Sequence, residues 1–254
     1  GASGTSAGDG GMIMNTTGAG VSVTNAANVS LNNLLVDTTG DDGISITQND
    51  GNTSSVSVID SAIRNTSMLG IDLVDSGSGL LTFVARRNSI DNNGDENLGL
   101  VVGGSATVTN LTVDDNVIVN SSGDEALRFV SDGAAAKTVN LLVTNNQFTN
   151  DDPAAVAANF LVPGAVNLNA TVTDNQFVNN AAGGLAFRMS ASGAGANVRL
   201  NIEDNIGTSV GVDYRLIHTG GSFSMEDPSE GVGNIGTFDT DATIVADPGP
   251  IPLP

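Results

Sequence analysis

Apolar and polar residues alternate in short runs along most of the chain. Val198, Leu200 and Ile202 alternate with Arg199, Asn201 and Glu203, a period of two that predicts a strand. Val56 and Val58, Phe83 and Ala85, Leu111 and Val113, Leu141 and Val143, and Ala170 and Val172 repeat the pattern upstream. A polar turn follows each run. A second, shorter strand then carries one large inward residue: Ile63, Ile90, Ile118, Phe148 or Phe177. After a second polar or glycine-rich turn, a third strand reads Leu185-Ala186-Phe187-Arg188-Met189. Its counterparts are Ile71-Asp72-Leu73, Leu98-Gly99-Leu100 and Leu127-Arg128-Phe129. Loose segments of small residues, such as 191–196, lead into the next unit.

The first turn carries an asparagine in one recurring slot. Asn88, Asn116, Asn146, Asn175 and Asn205 occupy it, with Ser61 upstream, at steps of 27, 28, 30, 29 and 30 residues. A repeat of that length in β-branched residues predicts a solenoid. Asparagine suits the slot on two counts. It tolerates the left-handed backbone of a sharp turn, and its amide can bond to the same residue on neighbouring coils. Asn65, Asn92, Asn120, Asn150 and Asn179 form a second row four residues on. The first coil, Val29-Ser30-Leu31-Asn32-Asn33, fits only with a one-residue slip.

Three strands per unit with polar turns of fixed place resemble the repeat pattern of right-handed parallel β-helices, the pectate-lyase-like superfamily and bacterial surface proteins among them. The expected fold is all-β, a right-handed parallel β-helix of about seven coils. Residues 1–20 would form an N-terminal segment, 21–220 the β-helix, and 221–254 a C-terminal cap with a proline-rich tail. The resemblance implies either an extracellular structural or adhesive protein, or a polysaccharide lyase or hydrolase.

Charge narrows the partners. Twenty-eight acidic residues against eight Lys plus Arg give a net charge of -20, which disfavours nucleic acid and anionic membranes. Cysteine is absent, so disulfides and thiol chemistry are excluded. No stretch predicts a transmembrane segment. The chain opens on Gly1, which fits a processed, secreted or surface-displayed product. A polysaccharide or cell-surface ligand stays open.

Candidate chemistry lies in the turns. Gly40-Asp41-Asp42-Gly43 resembles the paired aspartates of polygalacturonases, but the accompanying Asn-Thr-Asp, Gly-His-Gly and Arg-Ile-Lys motifs are missing, and a plain turn explains it equally well. Asp95-Glu96, Asp124-Glu125 and Asp151-Asp152 fall in the second turn of three consecutive coils. Stacked in register, these six carboxylates would converge and favour Ca²⁺; fanned into solvent, they would only aid solubility. Arg86 and Arg87 are the one adjacent basic pair, and the resemblance implies an arginine base beside Ca²⁺. Arg87, however, shares its slot with Asp60 and Asp115, as in a charge ladder. His218 is the sole histidine and reads as structural. Phe148 and Phe177 read as core, leaving no aromatic platform for sugar.

The function expected first is a structural subunit that stacks head-to-tail into a filament or surface layer, or an adhesin. The alternative is a lyase, a hydrolase, or a calcium-dependent carbohydrate-binding β-helix.

Overall fold

The computed structural model describes residues 10–105, 108–119, 124–133, 137–152, 155–226, 233–240, 244–246, 251 and 254. Among them there is no helix. The strands fall into three parallel sheets, and from Gly11–Thr16 to Ser222–Met225 each strand pairs with the third strand along the chain. The first sheet runs from Asn28–Asn32 through Leu81–Arg86 and Thr138–Thr144 to Val245–Ala246. The second runs from Gly11–Thr16 through Ser89–Asp91 and Gln147–Asn150 to Ile206–Ser209. The third runs from Val21–Thr24 through Leu98–Val102 and Leu185–Ala191 to Phe238–Thr240. The result is a parallel β-solenoid of about seven coils, with three strands and three corners per coil.

Every sheet has the alternation that the sequence predicts. In the strand Thr138–Thr144, Val139, Leu141 and Val143 are buried while Asn140 and Leu142 are only partly covered. Ile63, Ile90, Ile118, Phe148 and Phe177 pair in unbroken register, and none has exposed surface. Phe148 and Phe177 stack at 5.3 Å and 5° between planes. The column also takes in Val36. It ends at Gly207, where a Cβ would come within 2.7 Å of the Tyr214 ring. Tyr214 fills that space from the third sheet, stacked on Phe238 at 4.4 Å. A solenoid core grows along one axis, so each layer needs only its neighbours.

Three expectations about register need correction. The first coil has no slip: Val29 pairs with Val56 and Leu31 with Val58. Asn33 is level with Asp60 rather than with Ser61, and the asparagine slot of this coil is held by Leu34, whose N–H donates to Ser61 Oγ. The left-handed residue of the first corner is not the recurring asparagine but its predecessor. Asn33, Asp60, Arg87, Asp115, Asn145, Asp174 and Asp204 all have φ between 52° and 58°. The predecessor makes the bend, and this leaves the asparagine side chain inside the corner. The second row splits. Asn65 and Asn92 are exposed left-handed turn residues, whereas Asn150 and Asn179 are buried at strand ends. In the earlier coils the strand stops sooner, and the buried place goes to Thr66 and Asn93, joined by a bond from Thr66 N–H to Asn93 Oδ1. Asn120 lies outside the described residues.

Strand pairing continues past residue 220: Ser222–Met225 pairs with Asn197–Glu203, and Phe238–Thr240 with Tyr214–His218. At the opposite end, Gly11–Thr16, Val21–Thr24 and Asn28–Asn32 are, among the described residues, edge strands paired on one side only. Their inward residues Ile13, Val29 and Leu31 are only half-buried, and Met12 is 65% exposed.

Candidate functional site

Two corners concentrate polar chemistry. In the first, the asparagines form a continuous ladder. Asn116 shows the pattern. Its Nδ2 donates to Asn146 Oδ1, to the Ala85 carbonyl and to the Asp114 carbonyl at 2.9–3.1 Å. Its Oδ1 accepts from Asn88 N–H and Nδ2. Asn88, Asn146, Asn175 and Asn205 repeat the coil-to-coil bonds. The ladder extends to Asn234, which the sequence reading missed. The signal was present: Asn234-Ile235-Gly236-Thr237 copies Asn205-Ile206-Gly207-Thr208 at a step of 29 residues. Every amide atom here has a neighbouring partner, so the row is saturated and has no capacity for a ligand.

The second corner is acidic. Ligand atoms of Asp95, Glu96 and Asp124 lie within 4.8 Å of one another. Asp151 and Asp152 do not join them. Leu98 pairs with Leu127 and Leu127 with Ala158, so the residue level with Glu96 and Glu125 is Val156. Asp151 and Asp152 directly follow the strand end Asn150, at the start of the turn and ahead of the level of Asp124 and Glu125. Asp151 instead accepts from Asn180 Nδ2 at 2.8 Å, and Asp152 N–H caps onto Asn150 Oδ1.

Burial sets the protonation of this corner. It pushes the Glu125 carboxyl up to about 8, reinforced by Asp124. Glu125 Oε1 accepts from Asn159 Nδ2, and its buried Oε2 lacks a donor. A proton on Glu125 resolves the contact, since a carboxyl can donate to the Asp124 carboxylate. Burial raises Glu96 too, opposed by Arg128 at 2.7 Å from its Oε1. Asp72, whose outward place was legible from Ile71-Asp72-Leu73 but went unread, is pushed up to about 6 by burial and then by Asp42, Glu96 and Asp41. The Asp41-Asp42 turn is therefore part of the same acidic band. Asp42 accepts from Leu69 N–H at 3.2 Å, as a turn residue does.

The arginine candidates are committed to ion pairs. Arg87 holds Asp60 bidentately at 2.7 and 2.8 Å, and Arg86 Nε lies 2.8 Å from Asp114. Neither is placed with the acidic turns as a base would be. His218 Nε2 lies 3.2 Å from the Gly221 carbonyl, and its ring meets Phe223 edge-on. Neither family models, nor curated proteins, nor solved structures match the chain.

Proposed function

We propose that the chain is an extracellular structural rod that stacks head-to-tail into a filament or surface layer. The observation that carries this reading is the first coil of the described residues. Among the described residues its three strands pair on one side only, and Ile13, Val29 and Leu31 are half-buried where their counterparts deeper in the rod are sealed. Such edges pair with further strands. A second copy presents Phe238–Thr240 and Val245–Ala246 as the last described strands of two of the same sheets, and the contact propagates because it is heterologous. Right-handed winding, the hand that parallel crossovers favour, belongs to this reading. So does secretion or surface display, supported by the acid-rich surface. A net charge of -20 opposes stacking, so assembly should strengthen with salt.

The three convergent carboxylates support a second reading, calcium-dependent binding of carbohydrate or of a neighbouring rod. Asp95, Glu96 and Asp124 would hold the ion. A polysaccharide lyase or hydrolase is the weaker form of it, because Arg86 and Arg87 are already paired.

Light scattering and electron micrographs across salt and Ca²⁺ separate these readings. Rods that lengthen with salt support stacking, and rods that associate side by side only with Ca²⁺, and not in Asp124→Asn, support the calcium-dependent reading. A monodisperse monomer under every condition overturns the stacking reading.

A further inference from the structure

The third corner encloses a charged pair. Period two along Ile71–Asp75 points Ile71, Leu73 and Asp75 inward, and Asp75 has no exposed surface. Lys137, the only lysine of the chain, is buried at the start of the strand Thr138–Thr144. Its Nζ lies 2.9 Å from Asp75 Oδ2, both side chains being wholly covered, and it also donates to the Gly103 carbonyl. Thr109 Oγ1 donates to the same Oδ2 at 2.7 Å, and Gly77 N–H donates to Oδ1 at 3.3 Å. An amine, a carboxyl group and two donors to the carboxyl oxygens thus share one enclosure sealed from bulk solvent.

We propose that Lys137 and Asp75 condense into an intramolecular isopeptide bond. A buried ion pair loses its hydration, and passing one proton from the ammonium to the carboxylate removes both charges. The Nζ lone pair then attacks Asp75 Cγ, the N–C bond forms, and the carbonyl electron pair moves onto Oδ1. The Gly77 N–H, shared with the Gln48 carbonyl at 3.1 Å, lies 3.3 Å from that oxygen and is placed to stabilise the oxyanion. Nζ gives up a proton, and the Thr109 hydroxyl is placed to relay it to Oδ2. The Cγ–Oδ2 bond breaks and water departs. One amine and one acid become one secondary amide and one water, with no redox partner. Holding the reactants in contact supplies the entropy that a bimolecular condensation lacks. The Gly103 carbonyl fixes the amine and the exclusion of bulk water opposes hydrolysis. The bond would join residues 62 apart in sequence, two coils apart along the rod, in a chain with no cysteine to make any other staple.

Intact mass of the full chain under denaturing conditions tests this. The expected result is a mass one water below that of the sequence. Trypsin should then leave peptide Asn65–Arg86 joined to peptide Phe129–Arg188, without cleavage after Lys137, and fragmentation should map the link to Asp75. Lys137→Arg should restore the full mass. A wild-type chain at full sequence mass, cut after Lys137, overturns the proposal and leaves a plain ion pair. So does a water loss that persists in Lys137→Arg, which would assign it to a cyclised aspartate elsewhere. The wild-type measurement decides the matter even where a variant does not fold.

Discussion

The first and second corners of each coil differ in how they treat the same problem, a turn whose polar groups must stack at the spacing of adjacent strands. The first solves it with a neutral amide that is both donor and acceptor, so each rung satisfies the next. From Asn88 to Asn234 the pattern varies little, and the asparagines up to Asn205 are all at most 2% exposed. The second corner stacks carboxylates, which repel. Its members meet the repulsion in unlike ways: Glu96 with Arg128, Glu125 with a proton, Asp151 by stepping out of register. A self-complementary side chain permits repetition, and a like-charged one forces each coil to find its own solution.

The sharpest way to break the first corner is Asn146→Ala. The substitution strands Asn116 N–H, takes one of three acceptors from Asn116 Nδ2, and removes the donor to the Val113, Thr144 and Asn175 acceptors, all inside the rod. The expected loss is about 3–4 kcal/mol, read as a drop in the denaturant midpoint. An equal substitution at Asn65, an exposed left-handed residue of the second corner, should cost far less. Equal losses at both positions would mean that the ladder is ornamental.

The contrast also explains what could be read from residues alone. The asparagine row and the inward column from Ile63 to Phe177 were legible because both depend only on strand period and repeat length. The convergence of Asp95, Glu96 and Asp124 was legible on the same ground, and the places of Asp151 and Asp152 were not. Leu98 to Leu127 spans 29 residues and Leu127 to its partner Ala158 spans 31; one extra residue falls in the loop before Thr138 and one in the turn after Asn150, and Asp151 and Asp152 stand at the start of that turn, ahead of the level of Asp124 and Glu125. Asn234 went unread because the strand before it lacks the long alternation of its predecessors. The pairing of Asp75 with Lys137 depends on where a loop delivers a side chain, which alternation does not specify.

The second corner should respond to pH. Glu125 titrates at about 8 in the fold against an ordinary 4.5, and Asp72 at about 6 against 3.8. The folded state therefore holds these protons more tightly than the unfolded chain. The stability they contribute is complete below the unfolded values and is lost as pH rises through the folded ones. The melting temperature should fall as pH rises from 4.5 to past 8. Glu125→Gln keeps an acceptor for Asn159 and a donor toward Asp124 without the titration. It should flatten the fall and gain on the order of 1 kcal/mol at the alkaline end. A variant that tracks the wild type across that range would remove Glu125 as the cause.

The smallest effect belongs to the outer edge of the first corner, at Arg87. Two terms oppose each other there. The bidentate pair with Asp60 is 47% and 34% exposed, and such pairs contribute about 0.2–1 kcal/mol. The residue also sits at φ 52°, a backbone that costs a side chain with a Cβ about 1 kcal/mol relative to glycine. Arg87→Ala loses the pair and keeps the strain, so it should be modestly destabilised. Arg87→Gly loses the pair and relieves the strain, so it should fall within about 0.5 kcal/mol of the wild type. Arg87→Val, β-branched at a left-handed position, should be the worst of the three. That order, Gly above Ala above Val, is what a rung chosen for backbone and charge predicts. If Gly proves no better than Ala, the left-handed bend is not the constraint at this position, and the ion pair with Asp60 alone accounts for the residue.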